Sequence, residues 1–239
     1  MTETIKYFET AGITFEIRSD LPITSQTFQK KFQAFEVSGP GKDTVTIHHH
    51  FTIPDGLLPD PSLKQAAMVF SNDFLTVYRT GRQWIYEQKR SDAHGIPHNA
   101  IVRFNQDHTL GHVYTAELDP ESYATANLGS VVMFGGDHYL MANLLADRNG
   151  MLVHANGLAW NQKGVVLIGR SGAGKSTLSG MLTESGFDLV ADDRIILIQK
   201  KDQLILAGSW CHGSVARVTN TRVRVCDIYF LVQSPENRI

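Results

Sequence analysis

The sequence predicts a mixed α/β (α+β) fold in which a β-rich N-terminal domain precedes an α/β domain. Seven of the eight prolines lie at or before residue 120, and the short apolar runs between them are typical of strands separated by turns. Beyond residue 130, an apolar run leads through a glycine-rich loop into a helical pattern, which is the order of an α/β unit. We therefore expect a β-rich domain over residues 1–130 and an α/β domain over residues 131–239.

Composition and charge exclude several functional classes. The 22 Lys and Arg residues against 24 Asp and Glu residues give a formal net charge of −2, so the chain has no strongly basic character to attract nucleic acid. No signal peptide is visible, and the longest apolar runs are far shorter than a membrane span. Two cysteines, Cys211 and Cys226, are too few for a disulfide framework. We expect a cytoplasmic protein with reduced cysteines that binds neither nucleic acid nor a membrane.

Five runs in the first domain predict strands, because β-forming residues lie between turn residues. They are Ile13–Ile17, Thr44–Phe51, Met68–Thr80, Gln83–Gln88 and Ala100–Asn105. The Thr-Gly-Arg sequence at residues 80–82 predicts a hairpin turn, and one or two helical turns are expected near residues 122–127. No motif in this domain indicates its role.

Histidines are frequent in the first domain. His48 and His50 share one face of an alternating strand, where they could bind a metal. No further ligand has a convincing spacing, so the sequence disfavours a metal site there. Two further pairs beside glycines are predicted to lie in exposed loops: His94 with His98, and His108 with His112.

Helical and strand patterns alternate in the second domain. A helix is predicted over Asp137–Asp147, where apolar residues recur on one face before an Asn-Gly pair. A second helix is predicted over residues 175–185 and ends at Gly186. The predicted strands are Leu152–Trp160, Val165–Gly169, Asp188–Ala191, Ile195–Gln199 and Leu204–Ala207.

Residues 169–177 carry the most informative motif, the phosphate-binding pattern G-x-x-x-x-G-K-[S/T]. They are Gly169, Arg170, Ser171, Gly172, Ala173, Gly174, Lys175, Ser176 and Thr177. Glycines allow a tight turn whose N–H groups point at phosphate oxygens, and the following helix adds its N-terminal dipole. Lys175 then reaches the β- and γ-phosphates, while the Ser176 hydroxyl is a ligand of Mg²⁺. The sequence therefore predicts a site for ATP and Mg²⁺, although no recognisable motif separates ATP from GTP.

Asp192 and Asp193 are predicted to lie beside the same phosphates. The helix carries the chain away by about 16 Å, and a strand of five residues returns it by about 16 Å. Adjacent residues at a strand end point in different directions, so one carboxylate can hold the metal while the other faces an acceptor hydroxyl. Arg194 follows directly and is the best-placed arginine for neutralising transition-state charge.

His154 is predicted to reach the loop through strand pairing. If the turn over residues 161–164 pairs Trp160 with Val165, then His154 lies opposite Ser171 inside the loop. From there it could orient an aspartate or contact phosphate when protonated. A slip of one residue in the pairing would turn it to the other face of the sheet.

Three segments together resemble the catalytic domain of the bacterial HPr kinase/phosphorylase family. They are residues 153–157 (Val-His-Ala-Asn-Gly), residues 169–177 and residues 189–194 (Leu-Val-Ala-Asp-Asp-Arg). The resemblance covers roughly residues 137–232, extends more distantly to ATP-dependent phosphoenolpyruvate carboxykinases, and is weak or absent over residues 1–130. It implies a P-loop kinase core of the HPr kinase/carboxykinase type in the second domain.

The resemblance also implies roles for individual residues. Enzymes of that family phosphorylate a serine of a small carrier protein. By resemblance, Gly169–Ser176 bind the nucleotide phosphates, Asp192 is the catalytic base and His154 supports it. Asp193 would then lie at the metal with Ser176, and Lys175 would neutralise charge during transfer.

The sequence departs from the family at two points. Thr177 stands where HPr kinases commonly have an acidic residue, which would alter the metal site. The chain ends at Ile239, soon after a predicted strand over Asp227–Val232 beyond which family members continue. Either the sequence is a C-terminally truncated fragment or its acceptor site is built differently.

The expected function is that of an ATP-dependent kinase acting on serine in a protein or peptide. Two alternatives stay open, a small-molecule kinase and a nucleotide-binding regulatory or scaffold protein with little turnover. The acceptor, reverse phosphorolysis and the formation of a homo-oligomer are left undecided by the sequence. Carboxykinase activity is not expected, because a chain of 239 residues is too short for the additional substrate and metal sites of that family.

Overall fold

The computed structural model describes residues 4–57, 66–88, 100–116, 118–211 and 218–234. The chain divides into two compact units, Met1–Leu140 and Met141–Ile239. The prediction of a mixed α/β fold is confirmed: the described residues form two sheets and a few short helices, with strands predominating. In these ranges no helix is both long and apolar enough to cross a membrane. The predicted loop residues His94 and His98 lie outside the described residues.

Nine strands of the first unit, counted within the described ranges, form one sheet. They are β1 (Thr4–Thr10), β2 (Ile13–Ser19), β3 (Glu36–Val37), β4 (Thr44–His50), β5 (Ala67–Ser71), β6 (Leu75–Thr80), β7 (Gln83–Gln88), β8 (Ala100–Asn105) and β9 (Leu110–Thr115). Their order is β3-β1-β2-β4-β9-β8-β7-β6-β5, and β4 is parallel to both of its neighbours. A 3₁₀ helix (Lys30–Phe35) and helix α1 (Pro120–Ala124) also belong to the unit.

The strand predictions for the first unit are confirmed in outline and wrong in two details. The hairpin at residues 80–82 joins β6 to β7 as predicted. The run Met68–Thr80 forms two strands because the Asn72 side-chain oxygen accepts hydrogen bonds from the N–H groups of Phe74 (2.9 Å) and Leu75 (2.8 Å), which turns the chain. His108 and His112 are not exposed loop residues: His108 is buried, and His112 lies within β9.

Strand β4 contributes alternate residues to the core. Val45, Ile47 and His49 are fully buried, whereas the residues between them are partly exposed on the other face. The His49 Nε2 atom lies 2.8 Å from the carbonyl oxygen of Val131, and its Nδ1 atom lies 2.9 Å from the Tyr123 hydroxyl. Since a carbonyl only accepts, Nε2–H donates to Val131 and Nδ1 accepts from Tyr123. Burial is the main cause that lowers the pKa of His49 to about 4, so this ring is neutral near pH 7.

Seven strands of the second unit, again counted within the described ranges, form a second sheet. They are β10 (Gly150–Val153), β11 (Ala155–Trp160), β12 (Lys163–Ile168), β13 (Asp188–Ala191), β14 (Ile195–Lys200), β15 (Gln203–Ala207) and β16 (Arg222–Phe230). Their order is β10-β14-β15-β16-β12-β11-β13, and β16 is parallel to β12. Helix α2 (Asp137–Ala146) precedes this sheet in the chain, and α3 (Lys175–Glu184) links β12 to β13.

Two apolar clusters fix the second sheet. On one face, Leu158, Leu167 and Leu189 pack with Leu178 and Leu182 of α3, which holds the helix against β11, β12 and β13. The other cluster contains residues from each of the strands β11 to β16; its buried members are Ala155, Ala159, Val166, Val190, Ala191, Ile195, Leu197, Leu206 and Val223. Burial of such side chains contributes roughly 1.5–3 kcal/mol each for the larger ones.

The predicted register between β11 and β12 is wrong by two residues. Trp160 pairs with Lys163 rather than with Val165, because Asn161 and Gln162 form a two-residue turn. Both turn residues have positive φ angles (48° and 63°), the combination that a type I′ hairpin requires. A shift of two residues preserves the face of every side chain. Ala155 consequently pairs with Ile168, and His154 lies next to the start of the loop at Gly169.

Candidate functional site

The loop between β12 and α3 has the backbone that a phosphate-binding turn needs. Gly172 and Gly174 adopt φ angles of 80° and 95°, which side chains other than glycine rarely tolerate. Helix α3 begins at Lys175 directly after Gly174, so the unpaired N–H groups of its first turn lie at the end of the loop. This arrangement favours the binding of an anion such as a phosphate group.

Lys175 is bound to the loop that it follows. Its Nζ atom lies 2.8 Å from the carbonyl oxygen of Gly169 and 3.3 Å from that of Arg170. The same atom lies 3.2 Å from the Nε2 atom of His154. The Lys175 side chain is thus held at the base of the loop, and the residue is only 8% exposed.

The acidic pair follows β13, and the structure brings it to the start of α3. Asp192 is 4% exposed, and its Oδ1 atom lies 3.5 Å from the Ser176 hydroxyl. Asp193 has a φ angle of 68° and a partly exposed side chain. The left-handed backbone at Asp193 turns the chain directly after Asp192, so the two carboxylates have different neighbours.

His154 connects Lys175 to Asp193. Its Nδ1 atom lies 3.0 Å from Asp193 Oδ1, while its Nε2 atom faces the Lys175 ammonium. A lysine ammonium only donates, so Nε2 accepts and Nδ1–H donates to the carboxylate. Arg194 Nη1 lies 3.0 Å from the other oxygen, Asp193 Oδ2. The structure therefore joins four of the predicted residues in one polar network.

Asn156 belongs to the same network and was not predicted to have a role. It is 1% exposed; its side-chain oxygen accepts from the N–H of Asp193 (3.3 Å), and its amide nitrogen donates to the Ser179 hydroxyl (2.9 Å). Asn156 thus links β11, the acidic turn and α3. The signal in the sequence was an amide between Ala155 and Gly157 in an apolar strand, because a buried amide requires partners.

These residues surround a cavity of about 290 Å³. Its lining residues are His154, Asn156, Ser171, Gly172, Gly174, Lys175, Ser176, Thr177, Asp192 and Asp193. Three residues of the predicted loop, Gly169, Arg170 and Ala173, do not line it. Gly169 has a packing role: an added Cβ would lie 2.9 Å from the Cβ of Ala173 and 3.2 Å from the carbonyl oxygen of Leu231.

The segment after β16 runs beside the loop, which the sequence did not indicate. The N–H of Leu231 donates to the carbonyl oxygen of Ile168 (2.7 Å). The Gln233 side chain donates to the carbonyl oxygen of Gly172 (2.8 Å). These bonds restrain the start and the middle of the glycine-rich turn.

Comparison with curated proteins finds distant relatives. The HPr kinase/phosphorylase of Prosthecochloris aestuarii is 33% identical over 104 residues, which cover 38% of this chain and 29% of that protein. The proteins of the same name from Chlorobium phaeobacteroides and Chlorobium limicola are each 33% identical over 105 residues, covering 38% of this chain and 31% and 30% of their own lengths. The matched region thus spans about three tenths of these relatives. No family model matches the chain. The chain is therefore a distant relative of the HPr kinase/phosphorylases.

Proposed function

We propose that the second unit is a P-loop kinase core and that it transfers the γ-phosphoryl group of ATP to a serine hydroxyl of a protein or peptide. The observation that carries this proposal is the network at the loop. There, Lys175, His154 and the acidic pair converge on one cavity at the N-terminus of α3. The name of the relatives, HPr kinase/phosphorylase, includes kinase activity and supports phosphoryl transfer as the reaction class.

The chain's own groups suit each part of such a transfer. The N–H groups of the loop and of the first turn of α3 bind phosphate oxygens. Lys175 moves from the loop carbonyls to the β- and γ-phosphates and neutralises their charge. The serine oxygen attacks the γ-phosphorus, its proton passes to a carboxylate of the acidic pair, and the bond to the β–γ bridging oxygen breaks, releasing ADP.

The donor set at the loop also fits Mg²⁺. Ser176 Oγ and Asp192 Oδ1 lie 3.5 Å apart, and Asp193 is adjacent, so hard oxygen donors of the kind that Mg²⁺ prefers are gathered here. When bound, Mg²⁺ would neutralise charge on the β- and γ-phosphates. Ser176 and one aspartate would hold it, and the second aspartate would accept the serine proton.

The experiment that tests this proposal is transfer of label from γ-labelled ATP to the proteins of a cell extract in the presence of Mg²⁺. We expect a labelled protein or peptide band with the wild-type protein, none with Lys175→Ala, and a lost or much weaker band with Asp192→Asn at the same Mg²⁺ concentration. Lys163→Ala and Asp188→Asn are matched controls, because these exposed residues begin β12 and β13 away from the cavity and should leave labelling unchanged.

Other outcomes separate the alternatives. Label on a small metabolite, and on no protein, would replace the serine acceptor with a small-molecule acceptor. ATP binding without transfer to any acceptor would contradict the kinase proposal and support a nucleotide-binding regulatory protein. Retained ATP binding in Asp192→Asn, together with lost transfer, would support a catalytic role for the acidic pair.

A further inference from the structure

Three histidines meet on the partly exposed face of β4 and β9 in the first unit. His48 and His50 lie on the same face of β4, opposite to the buried His49. His112 lies on β9, and the parallel pairing of the two strands places it directly beside His48. The sequence could not show this grouping, because 62 residues separate His50 from His112.

The ring nitrogens of the three histidines face one another. One nitrogen from each ring can be chosen so that the three atoms all lie within 4.8 Å of one another. The His50 Nε2 and His112 Nδ1 atoms are separated by 3.0 Å. Two nitrogens that bind the same tetrahedral ion at about 2.0–2.1 Å lie roughly 3.3 Å apart, so the observed separation is close to that of a shared ligand pair.

Asp20 orients two of these rings. Its Oδ2 atom lies 2.9 Å from His50 Nδ1, and its Oδ1 atom lies 2.8 Å from His48 Nε2. A carboxylate only accepts, so His50 donates through Nδ1–H and keeps the lone pair of Nε2 directed toward His112. A carboxylate that holds the non-ligating nitrogen is the usual outer partner of a metal-bound histidine.

We propose that His48, His50 and His112 bind one Zn²⁺ ion, with Asp20 as the carboxylate that orients them. Imidazole ligands suit borderline divalent metals such as Zn²⁺ rather than Mg²⁺ or Ca²⁺, which prefer oxygen. Three histidines also leave a position for water or a further ligand, as in open zinc sites.

The carboxylate in direct contact with the rings favours a cation over an anion, whereas the nearest arginines lie on the adjacent strands. Arg18 pairs across the sheet with His48, but its guanidinium forms an ion pair with Glu16. Arg103 pairs across the sheet with His112. The Asp20 carboxylate contacts two of the three rings directly and would repel a phosphate placed between them.

The test is calorimetric titration of the full chain with Zn²⁺ after treatment with a chelator and its removal. We expect one Zn²⁺ per chain, and no comparable binding of Mg²⁺. His112→Ala should weaken binding at least about 100-fold, and Asp20→Asn about 10- to 100-fold, because outer carboxylates contribute that much to metal affinity. His138→Ala is the matched control, since His138 lies on α2 and outside the cluster, and it should bind as tightly as the unchanged chain.

Circular dichroism without metal checks that each variant is folded, and Co²⁺ supplies an independent readout on the unchanged chain. Visible absorption typical of nitrogen coordination should appear with Co²⁺ and disappear in His112→Ala. Zn²⁺ binding that His112→Ala and Asp20→Asn leave unchanged would overturn the proposal. Binding of inorganic phosphate instead of Zn²⁺, lost in the same variants, would also overturn it and identify an anion site.

Discussion

Asp192 and Asp193 are adjacent in the chain, yet they contact different groups. Asp192 approaches the Ser176 hydroxyl, whereas Asp193 contacts His154 and Arg194. The resemblance to HPr kinases implies that the first aspartate is the base and the second is at the metal. The contacts favour the opposite assignment of roles, with Asp192 at the metal and Asp193 as the base, because Ser176 is the predicted Mg²⁺ ligand and Asp192 is its neighbour.

Asparagine substitutions distinguish these two assignments of the base and the metal ligand. If Asp192 is on the metal side, Asp192→Asn should raise the Mg²⁺ concentration needed for half-maximal transfer by about tenfold or more, and added Mg²⁺ should restore part of the rate. Asp193→Asn should then lower the rate at every Mg²⁺ concentration by roughly 100-fold or more, because a general base is lost. Transfer rates measured across a Mg²⁺ titration show which aspartate is at the metal and which is the base. The reverse pattern would support the assignment that the resemblance implies.

Asn156 should be important for both stability and activity. Replacement by leucine leaves the Ser179 hydroxyl and the N–H of Asp193 without their observed partner, which should lower the free energy of unfolding by about 1–3 kcal/mol. Transfer should fall as well, because the acidic turn loses its support. Denaturant unfolding and label transfer measure the two effects. Asn143→Ala on α2 is the control, and equal losses in both variants would contradict a specific role for Asn156.

At the scale of elements, the turn before α3 depends on glycine. Gly174 has a φ angle of 95°, so Gly174→Ala should introduce strain of about 1–2 kcal/mol and weaken ATP binding at least about tenfold. Gly180→Ala is the matched control, because Gly180 lies inside α3 with open space around it. It should stabilise the helix by about 0.5–1 kcal/mol and leave ATP binding unchanged. Equal ATP affinities in the two variants would contradict the role of the turn.

Local patterns predicted the elements around the loop well and their pairing less well. The strand β12, the helix α3 and the strand β13 agree with the predicted ranges within two residues. The register between β11 and β12 was missed because it depends on the length of a turn, which the apolar pattern does not define. A shift of two residues does not change the face on which a side chain lies, so the alternation along the strand was sufficient to place His154 beside the loop.

The pairing between strands that are distant in the chain could not be predicted from the sequence, for a physical reason. The parallel neighbours of β4 are β2 and β9, and the contacts that select them form only after long segments of chain have come together. His112 was assigned to a loop because it lies next to Gly111, and its proximity to His48 and His50 was missed because it depends on the pairing of β4 with β9. Asn156 was missed for the same reason, because its partner Ser179 lies 23 residues away.

At the scale of the whole molecule, His49 makes the stability of the first unit depend on pH. Its folded pKa of about 4 lies below the ordinary value of 6.5, so the unfolded chain takes up a proton first as the pH falls. The stabilising effect is complete above pH 6.5 and is lost as the pH falls toward about 4, which amounts to about 3 kcal/mol for this residue.

Hydrogen exchange of the first-unit sheet, measured with a chelator present, tests this dependence. Protection should decrease between pH 6.5 and pH 4 in the unchanged chain, after correction for the intrinsic exchange rates. His49→Gln removes the titrating ring and should flatten the dependence, although the sheet is less stable throughout. His138→Gln should retain it. Identical pH profiles for the unchanged chain and His49→Gln would refute the assignment to His49.

The position of Lys175 has a kinetic consequence. Its ammonium group already has three acceptors, the carbonyl oxygens of Gly169 and Arg170 and the His154 ring. In the proposed reaction, the phosphates of ATP would compete with these internal acceptors for the ammonium group. If Lys175 moves to the phosphates as proposed, the Nε2 atom of His154 would lose this hydrogen-bond donor. If the proposed function holds, nucleotide binding would free a hydrogen-bond acceptor beside Asp193, and we expect nucleotide to bind before the acceptor hydroxyl.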